Sequence, residues 1–362
     1  MSLAMTNALS FQVAAEKIYQ ILSPKGDLVD SPPDLSADQL LNFYHWMVYG
    51  RVYSDRMIAL QRQGRMGTFA PINGQEAASV GLVAPLQPED WLVASYRETL
   101  SYMFKGVPLL TIMKQWGGHI ADDYPREANC LPFQVVLGTQ MLHAVGVAQA
   151  IKLNHKTQVV VAACGDGATS EGDFNEALNF AGVSKAPVVF VVQNNGWAIS
   201  TPRSQQTAAA FIADRAAGFG LIGQVVDGND ILAMYDAVAT AVERARAGDG
   251  PTLIEAITYR LAAHTTADDP TKYRDEAELA EWRPRDPLSR YRTYLLRQEL
   301  LTETADAQLY ETVAAEIQAD VEAYEALPPA DPRQLFKIVY SQPTPQLRRQ
   351  EAFFRNELGL AA

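Results

Sequence analysis

Two short polar clusters in this chain have the residue types and spacing for chemistry. Gly165-Asp166-Gly167 places a hard anionic oxygen between two residues without side chains, and Asn194-Asn195 supplies neutral amide oxygens. A carboxylate paired with an amide carbonyl suits Mg²⁺, which takes few protein ligands and completes its shell from phosphate oxygens and water. The glycines let backbone N–H groups approach a ligand, and a helix start at Ala168-Thr169-Ser170-Glu171 would add donors and a dipole favourable to a diphosphate. Gly-Asp-Gly by itself is an ordinary turn. The specific signal is the combination of an apolar run before it, a helix after it and a second apolar run ending in Asn-Asn. Neither a G-x-x-x-x-G-K-[ST] loop nor the third glycine of a dinucleotide fingerprint is present, so each nucleotide alternative lacks a part it requires.

The elements that must hold these clusters are legible from the pattern of apolar residues. Residues 158–164 (QVVVAAC) form a continuous apolar run of strand length, 173–181 read as a short helix, and 187–192 (PVVFVV) as a second buried strand. The 26 residues between Gly167 and Asn194 suffice for one helix and its loops. Further strands are expected at 90–94, 224–226 and 252–257, with a helix at 233–247. This alternation predicts a doubly wound parallel sheet, whose ligands gather outside the carboxyl ends of the strands. A long helix is expected from Ser36 to about Ile58. Residues 1–36, punctuated by Ser23-Pro24 and Ser31-Pro32-Pro33, read as an N-terminal extension lying on the surface or on a partner. Residues 37–285 form the α/β domain. Residues 286–362 are expected to be helical, with Leu309, Val313, Ile317 and Val321 at helical spacing, and to pack on the sheet or reach a partner.

Composition narrows the partners. The 362 residues include 48% apolar residues, enough for a sizeable core, and carry a formal net charge of −12 with a pI near 4.9. Such a charge repels the phosphate backbone of nucleic acid and anionic membrane surfaces. The two cysteines, Cys130 and Cys164, make no C-x-x-C pair, so neither a disulfide framework nor a zinc site is expected and a reducing cytoplasm fits. A secretory signal and a membrane span are not expected.

The wider text around the clusters, GRMGTFAPINGQEAA from Gly64, GDGATSEGDFNEALNFAG, VVQNNGWAISTP and YRLAAHTTADDPTKYR, resembles the alpha subunits of thiamine-diphosphate-dependent pyruvate and branched-chain 2-oxo acid dehydrogenases, from about Gly64 to Asp286. The resemblance implies a thiamine-diphosphate-binding fold in which Asp166, Asn195 and the backbone carbonyl of Trp197 bind Mg²⁺. Many relatives have Tyr in place of Trp197, a departure that a main-chain ligand tolerates. It implies that Tyr96 and Arg97, after the strand at 90–94, contact the diphosphate together with Gly165, Gly167 and Ala168, and that Leu137 supports the bent cofactor. His264 matches a family histidine near the diphosphate and the reacting carbon and is the expected catalytic residue. The other four histidines, His45, His119, His143 and His155, have no motif context. Thr265 and Thr266 align with a loop that carries regulatory phosphoserine in mitochondrial relatives, and a solvated active-site loop is the plainer reading of them.

Thiamine chemistry also needs a carboxylic acid against the pyrimidine ring. The 167 residues after Asn195 contain no second α/β domain to supply it. In the family a separate beta chain does so, which implies an alpha2-beta2 heterotetramer that decarboxylates a small 2-oxo acid and feeds a lipoyl-bearing acyltransferase core. Pyruvate is the expected substrate and 3-methyl-2-oxobutanoate the alternative. A non-catalytic module that keeps the fold for binding alone is disfavoured because Asp166, Asn195, Arg97 and His264 are all retained. An unrelated Mg²⁺-nucleotide protein would show ATP competing with thiamine diphosphate.

Overall fold

The computed structural model describes residues 18–121, 123–337 and 340–359. At its centre is a parallel sheet of five strands, in lateral order β1 (Trp91–Val93), β2 (Val160–Gly165), β3 (Val188–Asn194), β7 (Thr252–Ile257) and β6 (Ile222–Asp227). A small antiparallel pair, β4 (Trp197–Ala198) and β5 (Thr201–Pro202), follows β3. The doubly wound parallel sheet expected from the sequence is therefore what the chain builds, with strand ends shifted by one or two residues.

Alternation along the strands assigns two cores. Val161, Ala163, Val189, Val191, Ile254 and Ala256 face one layer, with α1 (Ala37–Arg62) and α4 (Ile231–Ala247). Val160, Ala162, Cys164, Val188, Phe190 and Val192 face the other, with α2 (Thr139–Leu153) and α3 (Gly172–Ser184). Every residue of β3 is buried, which explains why its sequence runs apolar without alternation. Each buried Val or Phe contributes on the order of 1.5–3 kcal/mol, so the strands that carry the polar clusters at their ends are also the best anchored.

The register then fixes the geometry of those ends. Gly165 of β2 lies opposite Gln193 of β3, and Asn194 lies opposite Ile257 of β7. The loops after β1, β2, β3 and β7 therefore leave the same edge of the sheet side by side.

The C-terminal region is helical, as expected. α5 (Glu303–Glu325) buries Val313, Ile317 and Val321 in the core cluster shared with α1, and it packs on α1 and on the helix Leu109–Trp116 rather than on the sheet. Its acidic outer face stays in solvent. Among the described residues no helix is long and apolar enough to cross a membrane.

Residues 27–36 before α1 are largely exposed, as expected of a surface extension, but the described residues ahead of them depart from it. Residues 1–17 lie outside the described residues, but Tyr19 bridges Val226 in parallel and exchanges backbone hydrogen bonds with Val225 and Asp227, so the segment continues the sheet beyond β6. Ile21 and Leu22 are fully buried. Asp230 holds this together. One of its carboxylate oxygens accepts the Leu232 and Ala233 N–H groups as the N-cap of α4, and the other accepts those of Ile21 and Leu22 at 2.7 and 2.6 Å. Replacing Asp230 with Ala strands four backbone donors, and we expect a loss of about 2–4 kcal/mol in denaturant unfolding together with proteolytic release of residues 18–22. An unchanged midpoint would contradict this account of the edge.

Candidate functional site

All ten residues singled out from the sequence line a single cleft, of about 640 Å³ including its open mouth, at the carboxyl edge of the sheet. Each strand end brings its part. Tyr96 and Arg97 follow β1, Gly165, Asp166, Gly167 and Ala168 close β2, Asn195 and Trp197 follow β3, and His264 follows β7. Leu137 enters from the segment before α2, which runs beside β1 through bridges at Leu92–Cys130 and Ser95–Gln134.

The adjoining strand ends put the two clusters in contact. The backbone N–H of Asn195 donates to Asp166 Oδ1 at 3.3 Å, and Asn195 Oδ1 accepts the N–H of Trp197 at 3.2 Å. Asp166 and Asn195 are both nearly inaccessible. The second Asp166 oxygen accepts from Gln206 Nε2 at 2.8 Å. Among the described residues no side-chain cation pairs with this carboxylate, and burial holds its pKa above the usual carboxylate range against the pull of Gln206, the Asn195 N–H and the more distant charge of Arg260. A buried anionic oxygen with only neutral donors beside it fits a cation site. Among the described residues no group of three or more His, Cys, Asp or Glu converges on a metal, so an ion here depends on amide, main-chain and ligand oxygens, as Mg²⁺ does.

The turn after β2 differs from the helix start expected at residues 168–171. Residues Asp166–Ser170 form a 3₁₀ turn, Glu171 is extended, and α3 begins only at Gly172. The Thr169 hydroxyl donates to the Asp166 carbonyl at 2.8 Å, the local side-chain bond that lets a short polar residue compete with helix continuation. Gly167 is required here because a Cβ would stand 2.7 Å from that of Ala198 on the hairpin.

Arg97 is almost wholly buried. It donates to the Pro71 carbonyl, to the His264 carbonyl at 3.0 Å and to His264 Nδ1 at 3.1 Å, leaving further N–H groups for a ligand. Tyr96 stands edge-on to the His264 ring, with centroids 6.3 Å apart. The loop is fixed from below. Glu98 accepts the Ser95 N–H at 3.0 Å and Gln193 Nε2 at 3.1 Å, and the Tyr102 hydroxyl bonds both the N–H and the carbonyl of Ala94.

His264 sits between two guanidiniums. Arg260 NH1 approaches its Nδ1 at 3.2 Å, beside the contact from Arg97. Guanidinium groups only donate, so Nδ1 must be the acceptor and the ring proton lies on Nε2. Burial and then the charges of Arg97 and Arg260 push the imidazole pKa down to about 4. The ring is neutral across the physiological range and offers an N–H. The loop that carries it is tied down by hydrogen bonds: Asp268 accepts the His264 N–H at 2.9 Å and the Tyr273 hydroxyl, and Thr266 exchanges hydrogen bonds with the Phe69 backbone at 2.8 and 3.0 Å. Thr266 is thus tied to a neighbouring segment rather than simply solvated. The other four histidines stand outside the cleft.

Several residues in the cleft or directly behind it were not singled out from the sequence. Arg260 is buried and joins the site together, donating to the Trp197 carbonyl at 3.3 Å, the Ile199 carbonyl at 2.7 Å and the Tyr273 hydroxyl at 2.8 Å. Ile199, a β-branched residue at φ 54°, forms part of the wall. Gln75 lines the floor, on a turn held by Glu76, which takes the Gly74 N–H at 2.9 Å and Arg51 Nε at 2.5 Å. Arg260, Gln75 and Ile199 lie inside the stretches that carry the family resemblance, and Glu98 adjoins Arg97, so their sequence positions could have drawn attention.

Residues 44–333 match the profile of a family described as dehydrogenase E1 component. The 3-methyl-2-oxobutanoate dehydrogenase subunit alpha of Mycobacterium tuberculosis is 47% identical over 328 residues, 90% of this chain and 89% of that one. The pyruvate dehydrogenase E1 component subunit alpha of Bacillus subtilis is 42% identical over 336 residues, 92% of this chain and 91% of that one. Its counterpart in Staphylococcus aureus is 40% identical over 345 residues, 94% and 93% of the two chains.

The depressed His264 pKa has a testable consequence. The folded value lies below the ordinary 6.5, so this group favours the fold above that pH, and its contribution is lost as pH falls through about 4. Arg260→Met removes one of the two charges, and we expect the imidazole midpoint read by NMR to rise by roughly one unit. A midpoint that stays in place would show that Arg260 does not act on the ring.

Proposed function

The chain belongs to the dehydrogenase E1 component family, as an alpha subunit of a 2-oxo acid dehydrogenase, and from that premise we propose that its cleft binds thiamine diphosphate and Mg²⁺ and decarboxylates pyruvate in partnership with a beta chain. The observation that carries this reading is the buried Asp166 carboxylate, which has no cation of its own and lies against the Asn195 backbone at adjoining strand ends. Asp166, Asn195 Oδ1 and the Trp197 carbonyl would hold the cation. Arg97 and Tyr96 would hold the diphosphate, with Gly165, Gly167 and Ala168 letting it approach the backbone. Thiamine diphosphate, when bound, supplies the nucleophilic carbon and the electron sink for decarboxylation.

What the chain's own residues contribute follows from their environment. Arg97 enters the cleft already braced by Pro71 and His264, so little side-chain freedom is lost when it takes a phosphate oxygen. His264, neutral with its proton on Nε2, can donate a hydrogen bond where negative charge develops and assist transfer of the acyl group to a lipoyl arm. Leu137, 39% exposed in this chain, offers apolar surface to the bent cofactor. We further propose an alpha2-beta2 assembly, in which the beta chain brings the acid for the pyrimidine, working with a lipoyl-bearing acyltransferase core. The two unpaired cysteines favour the cytoplasm.

A second substrate reading has support of its own. The 47% identical relative bears the name of the 3-methyl-2-oxobutanoate enzyme, whereas relatives 40% and 42% identical bear that of the pyruvate enzyme. Turnover of the two acids by the reconstituted pair decides between them, and a preference above about tenfold in kcat/KM, equivalent to ~1.4 kcal/mol, settles the assignment.

Calorimetric titration of thiamine diphosphate into the alpha and beta chains together should show binding that requires Mg²⁺ and is lost in Asp166→Ala. Binding that ignores both the metal and the substitution would refute the site. Full turnover by the alpha chain alone would refute the shared assembly.

A further inference from the structure

Gln206 lies forty positions from Asp166 in the chain, in the loop that follows the β4–β5 hairpin, and meets it at the heart of the site. Its Nε2 donates to Asp166 Oδ2 at 2.8 Å, with a longer contact of 3.3 Å to the Thr201 carbonyl. Its Oε1 is buried and has no hydrogen-bond partner. The amide orientation follows from the chemistry: turned over, it would set a carbonyl oxygen against a carboxylate, two acceptors with no proton between them.

The loop is built to deliver this side chain. Arg203 takes the Gly196 carbonyl through its own N–H at 2.9 Å, and its guanidinium grips the carbonyls of Ala209 and Ala210 at 2.7 and 2.8 Å. Gln206 stands inside that closed turn. A lysine or arginine here would neutralise Asp166 and displace a cation. Glutamine instead offers a donor to the carboxylate and an acceptor beside it, both neutral.

We propose that Gln206 is a positioning residue for the divalent cation, its amide fixing the Asp166 carboxylate and its orphaned carbonyl accepting a hydrogen from a water of the hydrated ion. The inference rests on the reading of the cleft as a magnesium diphosphate site. Mg²⁺ sheds water reluctantly and keeps several waters when bound, so an acceptor next to its carboxylate ligand acts on Mg²⁺ selectively. Ca²⁺, larger and content with more direct ligands in looser geometry, depends on such an acceptor less. Residues behind the ligands of a metal commonly change its affinity 10–100-fold.

The test is a calorimetric titration of Mg²⁺ and, separately, of Ca²⁺ into the alpha and beta chains together at saturating thiamine diphosphate, for the unaltered protein and Gln206→Met. In Gln206→Met, Mg²⁺ affinity should fall about tenfold while Ca²⁺ affinity falls less than about threefold. Thermal melting without metal and limited proteolysis of residues 201–211 should be unchanged. Equal losses for both ions, or a loop that opens in Gln206→Met, would reduce Gln206 to a structural brace and overturn the proposal, as would unaltered Mg²⁺ binding in Gln206→Met. If the unaltered pair takes up no Mg²⁺ at all, the reading of the site fails and this proposal with it, an outcome distinct from tight binding that ignores Gln206.

Discussion

The Asp166 carboxylate is held away from water with only a backbone N–H and an amide for company. Left ionised in that state, it costs several kcal/mol of desolvation that the more distant charge of Arg260 offsets only in part. The fold leaves it no other place, because β2 and β3 are buried along their length and their register sets Gly165 against Gln193. Burial that stabilises the sheet therefore destabilises the group at its end, and an added cation would relieve that conflict. Local rules broken without compensation inside the chain are what a ligand site looks like in physical terms.

Positive charge is nevertheless close by, and it is spent elsewhere. Arg97 and Arg260 point their guanidiniums at the ring of His264 and at the carbonyls of Pro71, Trp197 and Ile199. Burial and the neighbouring Arg97 lower the pKa of Arg260 to about 10, at which it still carries its charge near neutrality. The outcome is a division of labour across the cleft. One wall is an uncompensated anion, the other two cations flanking a neutral histidine, and a metal-bound diphosphate presents the opposite charges to each wall in turn.

Much of this was written in local sequence. Two apolar runs of strand length, each ending in polar residues with one helix between them, force Asp166 and Asn195 together whenever the strands are neighbours. Arg260 and Gln75 lay inside the matched stretches with nothing in period or spacing to mark their roles, and Gln206 was not legible, since it meets Asp166 through a tertiary hydrogen bond forty residues on. The edge position of Tyr19 was hidden for the same reason, because its partners Val225 and Asp227 lie some two hundred residues away. The 3₁₀ turn in place of a helix start reflects the Thr169 hydroxyl, whose bond to the Asp166 carbonyl outweighs the helical tendency of the residues around it.

The most direct test of the central claim is a crystal structure of the alpha and beta chains with thiamine diphosphate and Mn²⁺ in place of Mg²⁺, read by anomalous scattering. The account predicts one strong peak among the Asp166 carboxylate, Asn195 Oδ1 and the Trp197 carbonyl, with the diphosphate on its far side toward Arg97. A site without a peak, with Arg260 or another side-chain cation turned in to pair with Asp166, would contradict it.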